Sequence, residues 1–218
     1  MKIDIARQLA AVSRMVKHLE HDGEPARAVL VSRTYDIKIE DLWDAITSAE
    51  RIPRWFLPVS GELRLGGRFQ LEGNAGGEIT RCEPPCHLAV TWEFADQTSW
   101  LELTLTEDRA AARLELKHVA MLDEHWERFG PGATGVGWEG ALAGLDLHLT
   151  TGATVNPEEA MTWMMSAEGK SFYRQSSEAW GRADIACGAE PAAATAAAAR
   201  TAAFYTGEDD GSEHARED

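Results

Sequence analysis

The feature that most constrains the fold is the stretch of residues 134–150, TGVGWEGALAGLDLHLT. Its apolar side chains recur at helical spacing, at Trp138, Ala141, Leu142, Leu145 and Leu149, which predicts a helix with one buried stripe. Gly137, Gly140 and Gly144 interrupt the pattern, and each costs a helix about 1 kcal/mol relative to alanine. Because intrinsic propensity is weak here, packing must hold the helix in place. We therefore expect a wide apolar surface beneath it.

The chain before this helix alternates between apolar and polar residues, as half-buried strands do. The predicted strands cover residues 28–37, 62–65, 68–72, 78–82, 88–94, 101–105 and 114–120. One helical pattern interrupts them at residues 40–49, followed by the aromatic pair Trp55 and Phe56. In the last strand His118 is in phase with Leu114 and Leu116, so its side chain should point the same way as the leucines. Residues 121–134 are a candidate lid.

The two ends of the chain carry further helical patterns. Apolar residues at helical spacing predict an amphipathic helix over residues 3–20. Asn156 followed by Pro157 is a helix-start signal, and a second stripe runs from Phe172 through Trp180 to Cys187. We predict four segments: an N-terminal amphipathic helix at 1–25, a domain at 26–152, a helical extension at 153–187, and an Ala-rich then acidic tail at 188–218 that is largely disordered.

The net charge argues against nucleic-acid and membrane partners, and the cysteine content argues against an oxidising compartment. A net charge of -15 and a pI near 4.9 disfavour nucleic acid and anionic membrane surfaces, which require a basic footprint. No stretch approaches the roughly 18 to 20 continuous apolar residues of a membrane span. Three cysteines form no disulfide framework in a chain of this size, so we expect reduced thiols and a cytoplasmic protein.

Cys82, Cys86 and His87 could contribute to a zinc site. A tetrahedral zinc site needs four ligands at workable spacing, and no second cysteine pair accompanies them. We therefore expect neither a metal nor another cofactor.

Several short motifs occur in an order that resembles a known family. They are Arg33-Thr34-Tyr35, EDLWDA at 40–45, RIPRWF at 51–56, Gly66-Gly67-Arg68-Phe69, Gly77-Glu78-Ile79, Glu83-Pro84-Pro85, residues 88–92 and Gly137-Trp138. Together they resemble the START-like (SRPBCC) superfamily, also called the helix-grip fold, and within it the branch named for homology to the activator of heat-shock protein 90 ATPase. Over residues 28–152 the resemblance implies an α+β fold in which a curved antiparallel sheet wraps around a long C-terminal helix.

The first functional hypothesis is a binding module. Small-molecule sites are mainly apolar with a few polar groups, so a cavity between the sheet and the 134–150 helix suits an apolar or amphipathic small molecule. The residues predicted to line this cavity are Trp55, Phe69, Leu71, Trp92, Leu103, Leu116, His118, Trp138, Leu142 and Leu145.

The second hypothesis is an enzyme of the cyclase or dehydratase type with His118 as general acid or base, since the ordinary pKa of histidine, about 6.5, lies near working pH. Catalysis would also need a second group. Asp146 and His148 are the nearest polar residues of the helix, but helical phase places Asp146 beside the buried stripe rather than in it. No Ser-His-Asp set occurs at convincing spacing, so binding is favoured over catalysis.

The third hypothesis is a cochaperone-like protein-interaction module. In this case the C-terminal helices, or Phe204 and Tyr205 in the tail, would engage a partner protein. Those two aromatic residues are the only large apolar side chains after residue 188, and they could instead dock back onto a groove of the chain itself.

Overall fold

The computed structural model describes residues 3–208. Within this range eight strands form one antiparallel sheet in the order β1-β2-β8-β7-β6-β5-β4-β3. The strands are β1 (Val12–His21), β2 (Glu24–Tyr35), β3 (Val59–Gly61), β4 (Arg68–Leu71), β5 (Gly76–Glu83), β6 (His87–Phe94), β7 (Gln97–Asp108) and β8 (Ala111–Met121). The helices are α1 (Ile5–Ala10), α2 (Ile39–Thr47), α3 (Glu124–Phe129), α4 (Gly132–Thr151), α5 (Pro157–Met165), α6 (Ala167–Ala186) and α7 (Pro191–Thr206).

The sheet packs one face against α4, and this interface forms the main core. Val29 and Val31 of β2, Leu114 and Leu116 of β8, and Leu142 of α4 belong to a single buried cluster. The alternation of residues in β8 buries every second side chain, which places His118 on the same face as the leucines. The predicted α+β helix-grip fold is confirmed, with α4 in the place of the gripped helix.

Helix α2 covers part of the same face of the sheet. Its buried residues Leu42, Ala45 and Ile46 join the cluster that contains Leu105 of β7 and Leu114 of β8. The 3₁₀ turn Ile52–Arg54 then leads the chain to Trp55, whose indole Nε1–H donates to the Ala45 carbonyl at 2.9 Å. This hydrogen bond ties the aromatic connection to α2.

The predicted helix over residues 3–20 is wrong. Only Ile5–Ala10 is helical, and Val12–His21 pairs along its length with β2. Val12 and Val16, four residues apart, fit both a helical and a two-residue period. The turn at Asp22 and Gly23, with φ of 52° and 84°, is of the Asp-Gly kind that joins tight hairpins, so the segment folds back onto the edge of β2.

One strand lies elsewhere than predicted, and the candidate lid contains a helix. The partner of β4 is β3 at Val59–Gly61, not residues 62–65, which lie in the connection between the two strands. The candidate lid at residues 121–134 contains α3, whose first turn is capped because Asp123 Oδ1 accepts from the Trp126 N–H at 2.7 Å.

Helix α4 is not buried along one stripe, as its sequence predicts, but on nearly all sides. Helices α6 and α7 also pack against α4, and glycines make this close approach possible. A Cβ at Gly135 would lie 2.2 Å from the ring of Trp180, and one at Gly137 would lie 2.9 Å from the Tyr205 hydroxyl. Gly135, Gly137 and Gly140, which weaken α4 as an isolated helix, therefore lie in its contact with α6 and α7.

The expectation of a largely disordered tail is wrong for residues 191–206, which form α7. Glu190 caps this helix by accepting from the N–H groups of Ala192 and Ala193. Tyr205 docks onto the domain: it stacks on Tyr173 with ring centroids 5.2 Å apart, and its hydroxyl donates to the Ala133 carbonyl at 2.7 Å. The acidic residues 209–218 lie outside the described residues.

The other C-terminal predictions hold. Asn156 Oδ1 accepts from two N–H groups of the first turn of α5, and α6 buries Phe172, Ser176 and Trp180. Between residues 3 and 208, none of the helices combines the length and apolar character that crossing a bilayer requires. Whether the four predicted segments act as separate domains stays a prediction.

Candidate functional site

An apolar chamber lies between α4 and strands β3 to β7. It has a volume of about 120 Å³. Thr47 and Cys82 are the exceptions in a lining that is otherwise apolar and rich in aromatic rings. We call it the inner chamber, and its lining residues are Thr47, Ile52, Trp55, Phe56, Val59, Leu63, Phe69, Leu71, Ile79, Cys82, Leu88, Val90, Trp92, Leu101, Leu103 and Trp138.

The structure brings six of the ten predicted cavity residues together around this chamber: Trp55, Phe69, Leu71, Trp92, Leu103 and Trp138. Leu116, Leu142 and Leu145 line neither this chamber nor the one described next. They are 3%, 1% and 0% exposed and belong to the close-packed core instead. A role for any of these residues in ligand binding stays a prediction.

Aromatic side chains form a continuous wall of the inner chamber. Trp55 stacks on Phe56 with centroids 5.4 Å apart, and Phe56 stacks on Trp138 at 5.9 Å. On the sheet side, Phe69 and Trp92 face each other at 6.3 Å. Trp55 and Phe56 come from the connection after α2 and not from a strand or helix, which explains why strand and helix periodicity alone indicates neither.

A second chamber, with a volume of about 390 Å³, lies beside α3 and the first turn of α4. We call it the outer chamber. Its lining includes His118 and Trp92 of the predicted set, and Trp126 of the predicted lid. Unlike the inner chamber it presents many polar side chains, namely Asn74, Gln97, Thr98, Ser99, Asp123, His125 and Thr134.

His118 stands between the two chambers in a fixed chain of hydrogen bonds. The Trp138 indole N–H donates to His118 Nδ1 at 3.0 Å, which places the ring proton on Nε2. His118 Nε2 then lies 2.8 Å from Ser99 Oγ and donates to it, and Ser99 Oγ donates to the Trp92 carbonyl at 3.1 Å. Each polar atom in the chain has a partner.

Burial lowers the pKa of His118 to about 4, because the charged ring would lose its hydration. The neutral ring uses its one acceptor on Trp138 and its one donor on Ser99, so it has no free lone pair for proton abstraction. His118 therefore orients Trp138 and Ser99 in this structure. The arrangement does not favour its predicted role as a general acid or base.

Asp146 is more deeply placed than helical phase predicts. It is 6% exposed and faces β2, where its Oδ1 lies 2.7 Å from Nη2 of Arg33, a residue that is only 3% exposed. Gln8 of α1 donates to Asp146 Oδ2 at 2.7 Å. The phase argument fails because it treats the buried stripe as purely apolar, and Arg33 in the middle of a strand is the signal that a buried carboxylate must face it.

A second buried ion pair joins α4 to β1. Arg14 Nε and Nη2 donate to the two oxygens of Glu139 at 2.6 and 2.7 Å, and the Glu139 side chain is 1% exposed. Bidentate geometry of this kind fixes both partners in orientation. The sequence did not indicate this pair, because Arg14 lies within the predicted 3–20 helix and not on a predicted strand.

The other candidate polar residues lie apart from the chambers. His148 is buried, lines neither chamber, and its Nδ1 lies 2.9 Å from the Ala153 carbonyl. Cys86 is exposed, whereas Cys82 is half-buried in the wall of the inner chamber. In the part of the chain that the structure describes, no group of three or more His, Cys, Asp or Glu side chains is placed to hold a metal ion.

Comparison with protein families gives one match. Residues 36–150 match the family described as "Activator of Hsp90 ATPase homolog 1-like protein", which is more than half of the 218 residues. None of the curated proteins is similar enough to match.

Solved structures extend the likeness. The crystal structure of CalU16 from Micromonospora echinospora is 32% identical, with a TM-score of 0.65 over 79% of this chain and 98% of CalU16. Its solution structure gives a TM-score of 0.69 over 81% and 97% at the same identity. Protein MLL2253 from Mesorhizobium loti is 25% identical, with a TM-score of 0.51 over 57% of this chain and 97% of that protein. Residues 36–150 alone are too few for the CalU16 coverage, so that likeness includes part of the flanking segments.

Proposed function

The chain belongs to the family of Activator of Hsp90 ATPase homolog 1-like proteins, and on this premise we propose that it binds an apolar or amphipathic small molecule between its sheet and α4. The observation that carries the proposal is the inner chamber, an apolar recess of about 120 Å³ between the sheet and α4 that is partly open to solvent. Small-molecule sites are concave and mainly apolar with a few polar groups, and the inner chamber has this character.

The physical chemistry of the chamber selects its ligand. The lining atoms lack contacts on the chamber side and would gain dispersion energy from an apolar guest. An apolar cavity of about 150 Å³ is known to stay dry and to bind benzene. The aromatic wall formed by Trp55, Phe56 and Trp138 favours a flat ring, because offset and edge-to-face ring pairs add about 0.5–1.5 kcal/mol beyond burial.

Toluene and naphthalene are suitable probes for this proposal. Isothermal titration calorimetry and thermal unfolding should show saturable binding of at least one probe and a rise in Tm that grows with probe concentration, because the probe binds only the folded chain. Absence of saturable binding by both probes up to their solubility would contradict the proposal.

A pair of variants on one strand provides the control. Leu103→Trp places a large ring in the inner chamber and should abolish probe binding. Leu103 and Thr104 are successive residues of β7, and their side chains point to opposite faces of the sheet. Thr104→Trp therefore adds the same ring outside and should leave binding unchanged. Equal binding by the two variants would show that the probe occupies another place.

A protein-interaction role is the second proposal, supported by the family description and by two exposed side chains on α5. Met161 is 59% and Met165 is 50% exposed, and methionine is common at adaptable binding surfaces. Truncation is a poor test because it would uncover α4. Instead, Met161→Glu with Met165→Glu should abolish any stimulation of purified Hsp90 ATPase, while Met15→Glu on β1, equally exposed, should not. A wild-type chain without effect on the ATPase rate would contradict this role.

A further inference from the structure

Three contacting rings separate the inner and outer chambers. Trp92 packs edge-on against Trp138 with centroids 5.1 Å apart and against His118 at 5.9 Å, and the Trp138 and His118 rings are 5.9 Å apart. Trp138 lines the inner chamber, His118 lines the outer chamber, and Trp92 lines both. The rings therefore form a partition between an apolar space and a polar one.

The three rings are not held equally. Trp138 and His118 are bonded to each other, and His118 is also bonded to Ser99. Trp92 contributes only its backbone carbonyl to this chain, and within residues 3–208 its indole N–H has no hydrogen-bond partner. Its side chain is also only partly buried. Trp92 is thus the member of the partition that can change rotamer without breaking a hydrogen bond.

We propose that the two chambers form one site for an amphipathic ligand, with its apolar part in the inner chamber, its polar part in the outer chamber, and the Trp92 side chain as the movable partition. This inference rests on the proposed small-molecule function and specifies the ligand class. The outer chamber, at about 390 Å³, already lies in the range of roughly 300–1,000 Å³ that is usual for ligand sites, and joining it to the inner chamber adds an apolar, aromatic lining.

The lining of the outer chamber also indicates the charge of the polar part. It offers amide and hydroxyl groups from Asn74, Gln97 and Thr98, and the carboxylate of Asp123 accepts from Gln97 at 2.9 Å. The described residues of this lining include neither Lys nor Arg. Apart from the imidazole of His125, which lines the same chamber, an anionic group would face the Asp123 carboxylate without a cationic partner, so a neutral hydroxyl or amide group suits the chamber better.

The eight tryptophans of the chain allow a direct test by nuclear magnetic resonance of their indole N–H signals. Trp55 lines only the inner chamber, Trp126 lines only the outer chamber, and Trp100 and Trp180 line neither. Toluene should shift the Trp55 signal and leave the Trp126 signal unchanged. The neutral amphiphile 1-decanol should shift both, with Trp100 and Trp180 as internal references.

The outcomes separate this inference from the function on which it rests. If toluene shifts Trp55 but 1-decanol does not shift Trp55 and Trp126 together, the joined site is wrong and the inner-chamber proposal stands. If neither molecule shifts Trp55, both proposals fail. Sodium decanoate tests the charge argument, because its carboxylate should weaken binding about tenfold relative to 1-decanol at the same chain length.

Variants of the partition provide an independent measurement. Trp92→Ala removes the movable ring and should raise the affinity for 1-decanol about tenfold, and should raise it more than the affinity for toluene, which occupies only the inner chamber. Trp100→Ala, which removes a ring that lines neither chamber, should alter neither affinity. Unchanged affinity of Trp92→Ala for 1-decanol would overturn the partition. Where Trp92→Ala folds poorly, Trp92→Leu serves the same purpose with the same expected direction.

Discussion

Helix α4 contacts the two halves of the sheet in two very different ways. Towards β1 and β2 it is fixed by buried ion pairs, Glu139 with Arg14 and Asp146 with Arg33. Towards β4 to β7 it is separated from the strands by the inner chamber, with Trp138 as its main contact. We call these the closed side and the open side of α4.

The difference shows how the chain can keep an unfilled space without losing its structure. On the closed side Asp146 meets Arg33 and Glu139 meets Arg14 at hydrogen-bond distance, which makes the position of α4 specific. Helices α6 and α7 also contact α4 closely at several of its glycines. The open side can then contain a chamber, because contacts on that side are not needed to position the helix.

The largest expected effect comes from the closed side. Asp146→Ala leaves the Arg33 guanidinium, 3% exposed, without its carboxylate and should lower the free energy of unfolding by about 4 kcal/mol. Glu93→Ala is the matched control, since the pair of Glu93 with Arg68 is exposed and should contribute less than about 1 kcal/mol. Urea unfolding measures both. Equal effects would mean that the closed side does not depend on its buried charges.

A smaller loss is expected at the contact of α4 with α6. Gly135→Ala would place a Cβ 2.2 Å from the ring of Trp180, which is fully buried, and this overpacking should cost about 3 kcal/mol. Gly140→Ala lies on the same helix, 3.4 Å from the Tyr173 hydroxyl. It should be neutral or stabilise by up to about 1 kcal/mol through helix propensity. Loss of stability in both variants would contradict the close-approach role of Gly135.

Leucine truncation compares the two kinds of packing directly. Leu145 is fully buried and lines neither chamber, whereas Leu103 lines the inner chamber and is only partly buried. Leu145→Ala should cost about 3–4 kcal/mol, because it opens a new cavity, and Leu103→Ala about 2 kcal/mol less, because its surroundings are already partly empty. Similar losses in urea unfolding would indicate that the open side is as tightly packed as the closed side.

The weakest expected effect concerns the partition on the open side. The pKa of His118 in the folded chain is about 4, below the ordinary value of about 6.5, so between these values the unfolded chain binds a proton that the folded chain does not. Stability should therefore fall by about 1–2 kcal/mol between pH 7 and pH 5. His118→Gln keeps a donor and an acceptor but does not titrate, and should lack this part of the pH dependence.

Much of the fold was predictable from local patterns. The alternation in β6, β7 and β8, the helix-start signal at Asn156, and the family motifs all lie within short stretches of sequence. The structure of residues 12–21 was not predictable in this way, because Val12 and Val16 suit a helix as well as a strand. Pairing with β2 decides in favour of the strand. Likewise, the covering of α4 by α7 depends on contacts between residues far apart in sequence, such as Tyr205 with Ala133.

The candidate site was predictable only as a set of inward-facing residues. Alternation identifies Leu103 and Leu116 as equivalent, yet one lines the inner chamber and the other is close-packed. The difference arises from the path of α4 over the curved sheet, which a single sequence does not specify. In the same way, the sequence places His118 inside but gives no indication that Trp138 and Ser99 occupy both of its nitrogens.

The hydrogen bonds that α7 makes to the segment before α4 and to its first turn have a consequence for folding during synthesis. The hydroxyls of Thr201 and Tyr205 donate hydrogen bonds to the carbonyls of Phe129 and Ala133. Thr201 and Tyr205 are synthesised some seventy residues after Phe129 and Ala133. Since chains fold from the N-terminus during synthesis at about 5–20 residues per second, the nascent protein spends seconds with the part of α4 that α7 later covers still exposed to solvent. That interval is when it is most exposed to misassociation with neighbouring chains.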